Sequence, residues 1–307
     1  MIQPSTRRDL LRSAAALGTV GLFAVPLSAP AAIDPIKRAG KCRMKLSLAA
    51  YSFRDRLNPK KGETKAEWTL DDFIAFCAAQ GLDGTELTSY YFPKETTPEY
   101  LAHLKRQTFL LGLEVSGTAV GNDFCRPPGE ARDKDIAHVK KWADHAAAMG
   151  APCIRIFSGS TPKGHSEQQA RASCVEAIEE CCRYSGERGV YLALENHGGL
   201  SATADGLLAI VREVRSPWFA VNLDTGNFHS ADPYAELAQL APYAVNVQVK
   251  TEMSPAGSAK QPADLARLVR MLRDVDYRGY VVLEYEAAED PLAAVPRYLD
   301  QLRKLIA

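Results

Sequence analysis

The sequence predicts a single (β/α)8 barrel of the α/β class, and two observations carry that expectation. Eight short apolar, β-branched runs alternate with longer stretches whose apolar residues recur every three or four positions. The first run passes into Ser52-Phe53-Arg54-Asp55 without a glycine, so it lacks the Gly-rich phosphate loop of an open dinucleotide-binding sheet. Strands that each lead into a helix close a parallel sheet on itself.

The strands are expected at residues 44–51, 84–88, 113–120, 153–158, 191–196, 220–224, 244–250 and 280–285. Amphipathic stretches such as 70–80, 134–149, 168–188, 207–215 and 262–274 supply helices to cover them. Within 134–149, Ile136, Val139, Lys140, Ala143 and Ala147 trace one stripe, in which Lys140 extends its charge to water on an apolar stem. Gly81, Gly112, Gly150, Gly189 and Gly279 follow helical patterns and read as left-handed helix stops. Asn58-Pro59-Lys60-Lys61-Gly62-Glu63 reads as a solvated loop before the first barrel helix. The polar stretch 254–262 leaves the seventh strand as a flexible flap over the barrel mouth.

Ahead of the barrel, Arg7-Arg8 precede an Ala/Gly/Leu-rich stretch over 13–27, and Ala29-Pro30-Ala31 offers a small-x-small cleavage site. The stretch is too short and weakly apolar to span a bilayer. It resembles a twin-arginine export signal, with Arg12 where such signals usually carry lysine. Residues 1–32 are therefore expected to direct export to the periplasm, without stable membrane insertion, and 33–307 to form the catalytic barrel.

Composition narrows the function. With 37 Lys plus Arg against 37 Asp plus Glu, the chain has no net charge, which argues against nucleic acid as a partner. Seven cysteines, an odd number with no C-x-x-C spacing, sit mostly in apolar runs and behave as small buried hydrophobes rather than a disulfide framework. The adjacent Cys181 and Cys182 point in different directions on a helix, so they read as structural rather than as a soft-metal site.

Catalytic groups of such barrels come from the C-terminal ends of the strands. That rule selects Glu86, Arg155, Glu195 with His197, Asp224 with Asn227, Gln248 with Lys250, and Glu284. Glu195 and Glu284 interrupt the apolar runs Ala193-Leu194 and Val282-Leu283, where an ionised carboxylate needs a partner or a metal. Glu195, Asp224 and Glu284 would repel one another, and a divalent cation would resolve the repulsion. A structural ion network with Lys250 and Arg155 would resolve it as well.

The runs Glu195-Asn196-His197-Gly198-Gly199, Asp224-Thr225-Gly226-Asn227 and Val281-Val282-Leu283-Glu284 resemble the xylose isomerase-like TIM barrel superfamily, in its sugar-phosphate isomerase/epimerase branch. The likeness extends over most of residues 45–305. In that family two glutamates, an aspartate and a histidine bind a divalent metal, which implies Glu195, Asp224, Gln248 and Glu284 here. The chain departs from the pattern at Gln248, where the family has histidine. An amide carbonyl suits a hard cation, so Mn²⁺ or Mg²⁺ is expected in preference to zinc. A second departure is Asn227, where related epimerases often have histidine; His229 follows two residues on.

The resemblance implies a metal-stabilised enediolate on a small carbohydrate substrate, with Glu195 and Glu284 as base and acid. His197, Lys250, Glu86, Arg155, Asn227 and His229 are the candidate substrate contacts, with Asn196 a weaker one. Export favours a free or oxidised sugar over a phosphosugar. The competing readings are a 3-keto-glycoside lyase or hydrolase using the same α-proton chemistry, and a periplasmic sugar-binding protein. The superfamily's histidine-rich, three-zinc nucleases fit poorly, since the chain has six histidines and His103, His138, His145 and His165 fall in helices or loops. The family also admits a homodimer.

Overall fold

Strand β1 (Arg43–Ala49) pairs in parallel with β2 (Gly84–Thr88) on one side and with the last strand, β10 (Arg278–Leu283), on the other, so the sheet has no free edge. The computed structural model describes residues 33–307. The export signal expected over 1–32 lies outside the described residues. Between β2 and β10 the barrel is completed by β3 (Glu114–Ala119), β4 (Cys153–Ile156), β5 (Tyr191–Glu195), β6 (Phe219–Asp224) and β7 (Ala244–Val249). Each of the eight expected strands is present, trimmed by up to two residues at the mouth.

The helices follow the same order. The short α1 (Arg54–Leu57) and then α2 (Leu70–Ala79) follow β1, with α3 (Pro98–Leu110), α4 (Glu130–Met149), α5 (Glu167–Gly186) and α6 (Ala204–Glu213) after the next four strands. The last three are α7 (Pro233–Leu240), α8 (Leu265–Asp274) and α9 (Pro291–Ile306). Three of them, α3, α7 and α9, begin where a capping side chain meets proline: Thr97-Pro98, Asp232-Pro233 and Asp290-Pro291. The cap satisfies an otherwise orphaned N–H, and proline occupies a position whose own N–H has no helical partner. These junctions are legible start signals for helices that apolar periodicity alone did not delimit. On α4 the buried stripe includes Trp142, Ala146 and Met149 as well as Ile136, Val139 and Ala143, and Lys140 turns outward to Glu180.

Four of the expected glycine stops, Gly81, Gly112, Gly150 and Gly189, have positive φ. Gly279 does not. It lies inside β10, and the left-handed residue before that strand is Asp276, at φ 49°. Gly279 is instead a close-approach site, because a Cβ there would stand 2.6 Å from the Tyr277 hydroxyl, which donates to Tyr280 O at 2.8 Å. The stretch after β7 is flanked by two short strands, β8 (Glu252–Met253) and β9 (Gln261–Pro262), which pair antiparallel as a small hairpin at the mouth.

Alternation along the strands sorts the side chains. Leu192, Leu194, Val221, Leu223, Val247 and Val249 join the apolar layer formed with the helices. Their neighbours in sequence, among them Glu195, Asn222, Asp224, Asn246 and Gln248, are buried polar groups that fill the lumen. All seven cysteines are free thiols, six of them buried and Cys42 half-buried, as their apolar settings suggested. No helix among the described residues is long and apolar enough to cross a membrane.

Candidate active site

Strand register collects the polar groups at one end of the barrel. Glu195 pairs in register with Asn222 and Asp224 with Gln248, while Gln248 also lies level with Val282, two residues before Glu284. Glu86, Arg155, Glu195, Asp224, Gln248, Lys250 and Glu284 are all buried. The expected cluster is therefore a real juxtaposition, and its internal wiring is specific.

Glu195 is held between Arg155, whose Nε lies 2.9 Å from Oε2, and Asn227, whose Nδ2 donates to Oε1 at 2.8 Å. Arg155 is anchored by donating from Nη1 to Val120 O at 2.7 Å, and its guanidinium sits 4.0 Å over the Phe157 ring. Asp224 accepts from Gly226 N at 2.8 Å through Oδ1, while its Oδ2 is buried without a hydrogen-bond donor. Asn196 fixes the Asp224 backbone from both sides, donating to its O and accepting from its N at 2.8 Å each. Asn196 is thus a wall and brace of the site.

Lys250 provides the second cation. Its Nζ donates to Glu284 and to Glu286 at 2.7 Å each, and lies 3.4 Å from Asp224 Oδ2. Glu286 was not among the expected site residues.

Beneath this layer lies a closed amide–carboxylate ring. Gln248 Nε2 donates to Glu86 Oε1 at 2.7 Å, and Asn222 Nδ2 donates to Gln248 Oε1 at 2.7 Å. Asn246 Nδ2 completes the ring, donating to Asn222 Oδ1 at 2.8 Å and to Glu86 Oε2 at 2.9 Å.

Four carboxylates, Glu195, Asp224, Glu284 and Glu286, share the two cations Arg155 and Lys250, while Glu86 is bonded only to the amides of Gln248 and Asn246. Burial raises the Glu86 pKa to about 7, with the Glu284 charge adding to the effect. Burial likewise brings Asp224 to about 7 against the opposing pull of Lys250. Glu195 is raised well above the carboxylate range by burial, which Arg155 only partly offsets. For Lys250, burial alone would lower the pKa, but Asp224, Glu284 and Glu286 outweigh it and drive it up, so the ammonium stays charged.

The Glu86 shift has a consequence for stability. In the unfolded chain a glutamate titrates near about 4.3, below the folded value of about 7. Its contribution is therefore fully present below the unfolded pKa and is lost as pH rises towards the folded one. Replacing Glu86 with Gln is expected to flatten the fall of melting temperature between about pH 5 and about pH 8, by an amount worth up to about 3 kcal/mol. An unchanged slope in the variant would place the pH dependence elsewhere.

The remaining expected contacts stand at the rim. His197 stands at the rim with its ring 4.5 Å from Phe157, and partial desolvation, aided by the Arg155 charge, lowers its pKa. His229 is exposed and hydrogen-bonds Ser254 O at 3.1 Å. It lines a cavity of about 190 Å³ together with Asn227, Lys250 and Glu286. Sequence reasoning missed Tyr91, whose buried hydroxyl has no partner and whose pKa burial raises, with Tyr51 and Glu284 acting in the same direction. It lies after β2, in a short turn that no apolar period marks.

The four side chains expected to hold a metal, Glu195, Asp224, Gln248 and Glu284, stand at one end of the barrel, each with a partner from the chain itself. Gln248 spends its carbonyl oxygen on Asn222 and its amide nitrogen on Glu86. Glu195 faces Arg155 and Asn227, and Lys250 stands against Asp224 and Glu284. Among the described residues no three His, Cys, Asp or Glu side chains converge on a common metal position. Arg155 pairs with Glu195, and Lys250 stands against Asp224 and Glu284, so both cations named in the sequence lie among the acids.

The xylose isomerase-like TIM barrel family matches residues 74–305, and the chain belongs to it. Comparison with curated protein sequences finds no match. Among solved structures, D-psicose 3-epimerase from Clostridium cellulolyticum H10, crystallised with D-tagatose, is similar at a TM-score of 0.70 and 15% identity, over 86% of this chain and 99% of that one. The 3-keto-D-glucoside 4-epimerase YcjR of E. coli is similar at a TM-score of 0.67 and 17% identity, over 85% of this chain and all 100% of that one. The IolI protein, whose structure holds a zinc atom, is similar at a TM-score of 0.66 and 19% identity, over 85% and 96% of the respective chains. At these identities the likeness establishes the shared fold.

Proposed function

We propose that this barrel is a sugar isomerase or epimerase that moves a proton beside the carbonyl of a free or keto-sugar through an enediolate. The observation that carries this reading is the placement of Glu195 and Glu284 at strand ends on either side of Asp224 and Lys250, in a buried cluster short of cations. An acid–base residue works best with a pKa near the working pH, and burial moves Glu195 and Asp224 in that direction. In this reading one glutamate removes the α-proton and the other returns it. Return to the opposite face gives epimerisation; return to the adjacent carbon gives isomerisation. The family membership and the sugar epimerases among the similar structures support the substrate class. The resemblance implies Mn²⁺ or Mg²⁺ at Glu195, Asp224, Gln248 and Glu284; in the reading proposed here Arg155 and Lys250, already paired with these acids, supply the charge stabilisation in its place.

His197, Asn227 and His229 edge the mouth and would contact sugar hydroxyls, with Arg155 orienting Glu195 from below. Export through the twin-arginine pathway is part of the proposal and rests on the Arg7-Arg8 pattern. A periplasmic enzyme meets free or oxidised sugars more readily than phosphosugars.

A second reading, elimination from a 3-keto-glycoside, is favoured by one observation. A further cavity of about 510 Å³ adjoins the small one and shares Glu252, Lys260, Glu286 and Ala287 with it, giving room for an aglycone. One experiment separates these readings. The mature protein is incubated in D2O with D-fructose and with methyl 3-keto-glucoside, and the carbon-bound proton beside the carbonyl is followed by NMR. Deuterium entering an intact sugar supports the isomerase or epimerase, and methanol release supports elimination. Binding without exchange of either sugar would reduce the protein to a sugar-binding module.

A further inference from the structure

We propose that Lys250 is the resident cation of this site, its ammonium group taking the place that a divalent metal would need among Asp224, Glu284 and their neighbours. The inference deepens the proposed function, on which its chemical step rests, but its structural content is independent of it.

Four observations support it. The ammonium has three N–H donors and no acceptor. Two of them are committed to Glu284 and Glu286, and Nζ lies 3.4 Å from the orphaned Asp224 Oδ2. The lysine is anchored at its backbone, where Lys250 N donates to Thr225 Oγ1 at 2.9 Å. Space is reserved for its stem by Gly226: a Cβ there would lie 2.5 Å from Lys250 Cγ and 2.8 Å from its Cβ. Finally, the side chain two residues earlier, Gln248, is locked into the Glu86 ring with its carbonyl oxygen already accepting from Asn222. The side chain at the ligand position thus braces the ring, and a cation supplied by the chain stands among the acids.

The chemistry balances without a metal or a redox partner. A carboxylate base takes the α-proton, the C–H electron pair becomes the carbon–carbon π bond, and the carbonyl π pair moves onto oxygen. A Lys250 N–H donates to that oxygen as its negative charge develops, a fixed donor at the point where charge appears. Reprotonation at carbon by the conjugate acid of a carboxylate returns the electron pairs and completes the cycle.

The test compares the wild-type mature protein with Lys250→Gln and with Lys250→Arg, each stripped with EDTA and then titrated calorimetrically with Mn²⁺ and with Zn²⁺. Wild type and Lys250→Arg are expected to take up neither ion stoichiometrically. Lys250→Gln, with its acids uncompensated, is expected to gain an Mn²⁺ site. If Lys250→Gln does not fold, the wild-type and Lys250→Arg titrations still decide the matter. Stoichiometric, tight Mn²⁺ or Zn²⁺ uptake by the wild-type protein would overturn the inference. Deuterium exchange into methyl 3-keto-glucoside is then measured in EDTA. Exchange that persists supports a lysine-centred site. Exchange that vanishes in EDTA and returns with Mn²⁺ overturns the inference while leaving the proposed function intact. A metal-free wild-type protein without exchange removes the proposed function and leaves Lys250 as the site's cation.

Discussion

Replacing Glu195 with Gln is expected to slow proton exchange at the sugar carbon by about 10²- to 10⁴-fold, the usual contribution of a positioned acid–base group. The substitution keeps volume and shape, and its carbonyl oxygen can still accept from Asn227, which donates to Oε1 at 2.8 Å in the native site. What it removes is the capacity to take and return a proton. The measurement is the initial rate of deuterium incorporation into methyl 3-keto-glucoside, with circular dichroism to confirm the fold. Undiminished exchange would take Glu195 out of the machinery and leave Glu284 to act with another group.

The second large effect concerns stability. Arg155→Met is expected to destabilise the barrel by about 3–5 kcal/mol at neutral to alkaline pH, because it leaves a buried carboxylate without its partner. Glu195 is already raised above the usual carboxylate range with Arg155 2.9 Å away, and losing that charge raises it further. A carboxyl whose folded pKa exceeds its unfolded one is penalised progressively as pH rises between the two. The variant should therefore stand closer to wild type near about pH 5 than near about pH 8. Urea denaturation midpoints at the two pH values check this. Equal midpoints for the two proteins at both would mean that Arg155 contributes no net stabilisation.

Much of the fold was legible because each strand carries its own period and each helix its own stripe. Gly81, Gly112, Gly150 and Gly189 marked helix ends because a left-handed residue is a local requirement. Gly279 misled for the opposite reason. Its role is a contact with Tyr277, and nothing in neighbouring residues distinguishes a glycine that frees the backbone from one that makes room. Within the site, Glu195, Asp224 and Glu284 stood out because charge in an apolar run is conspicuous. Their partners were harder to assign. Whether Gln248 turns its carbonyl to a cation or to Asn222 depends on Asn222, Asn246 and Glu86 at once, and Glu86 is 162 positions away in the chain. Tyr91 left no trace in the sequence, since the burial of its hydroxyl depends on the turn after β2.

The Glu86 ring also has a mechanical meaning. Glu86 belongs to β2 and Gln248 to β7, and these strands are not neighbours in the sheet: β1 and β10 stand between them. Their hydrogen bond crosses the lumen, so the ring acts as a transverse strut under the mouth. Flattening or widening the barrel at that level would separate buried polar groups that have no water to replace their partners. The floor of the mouth is thereby braced from within the lumen, by a ring in which neither the β8–β9 hairpin nor His197 and His229 takes part.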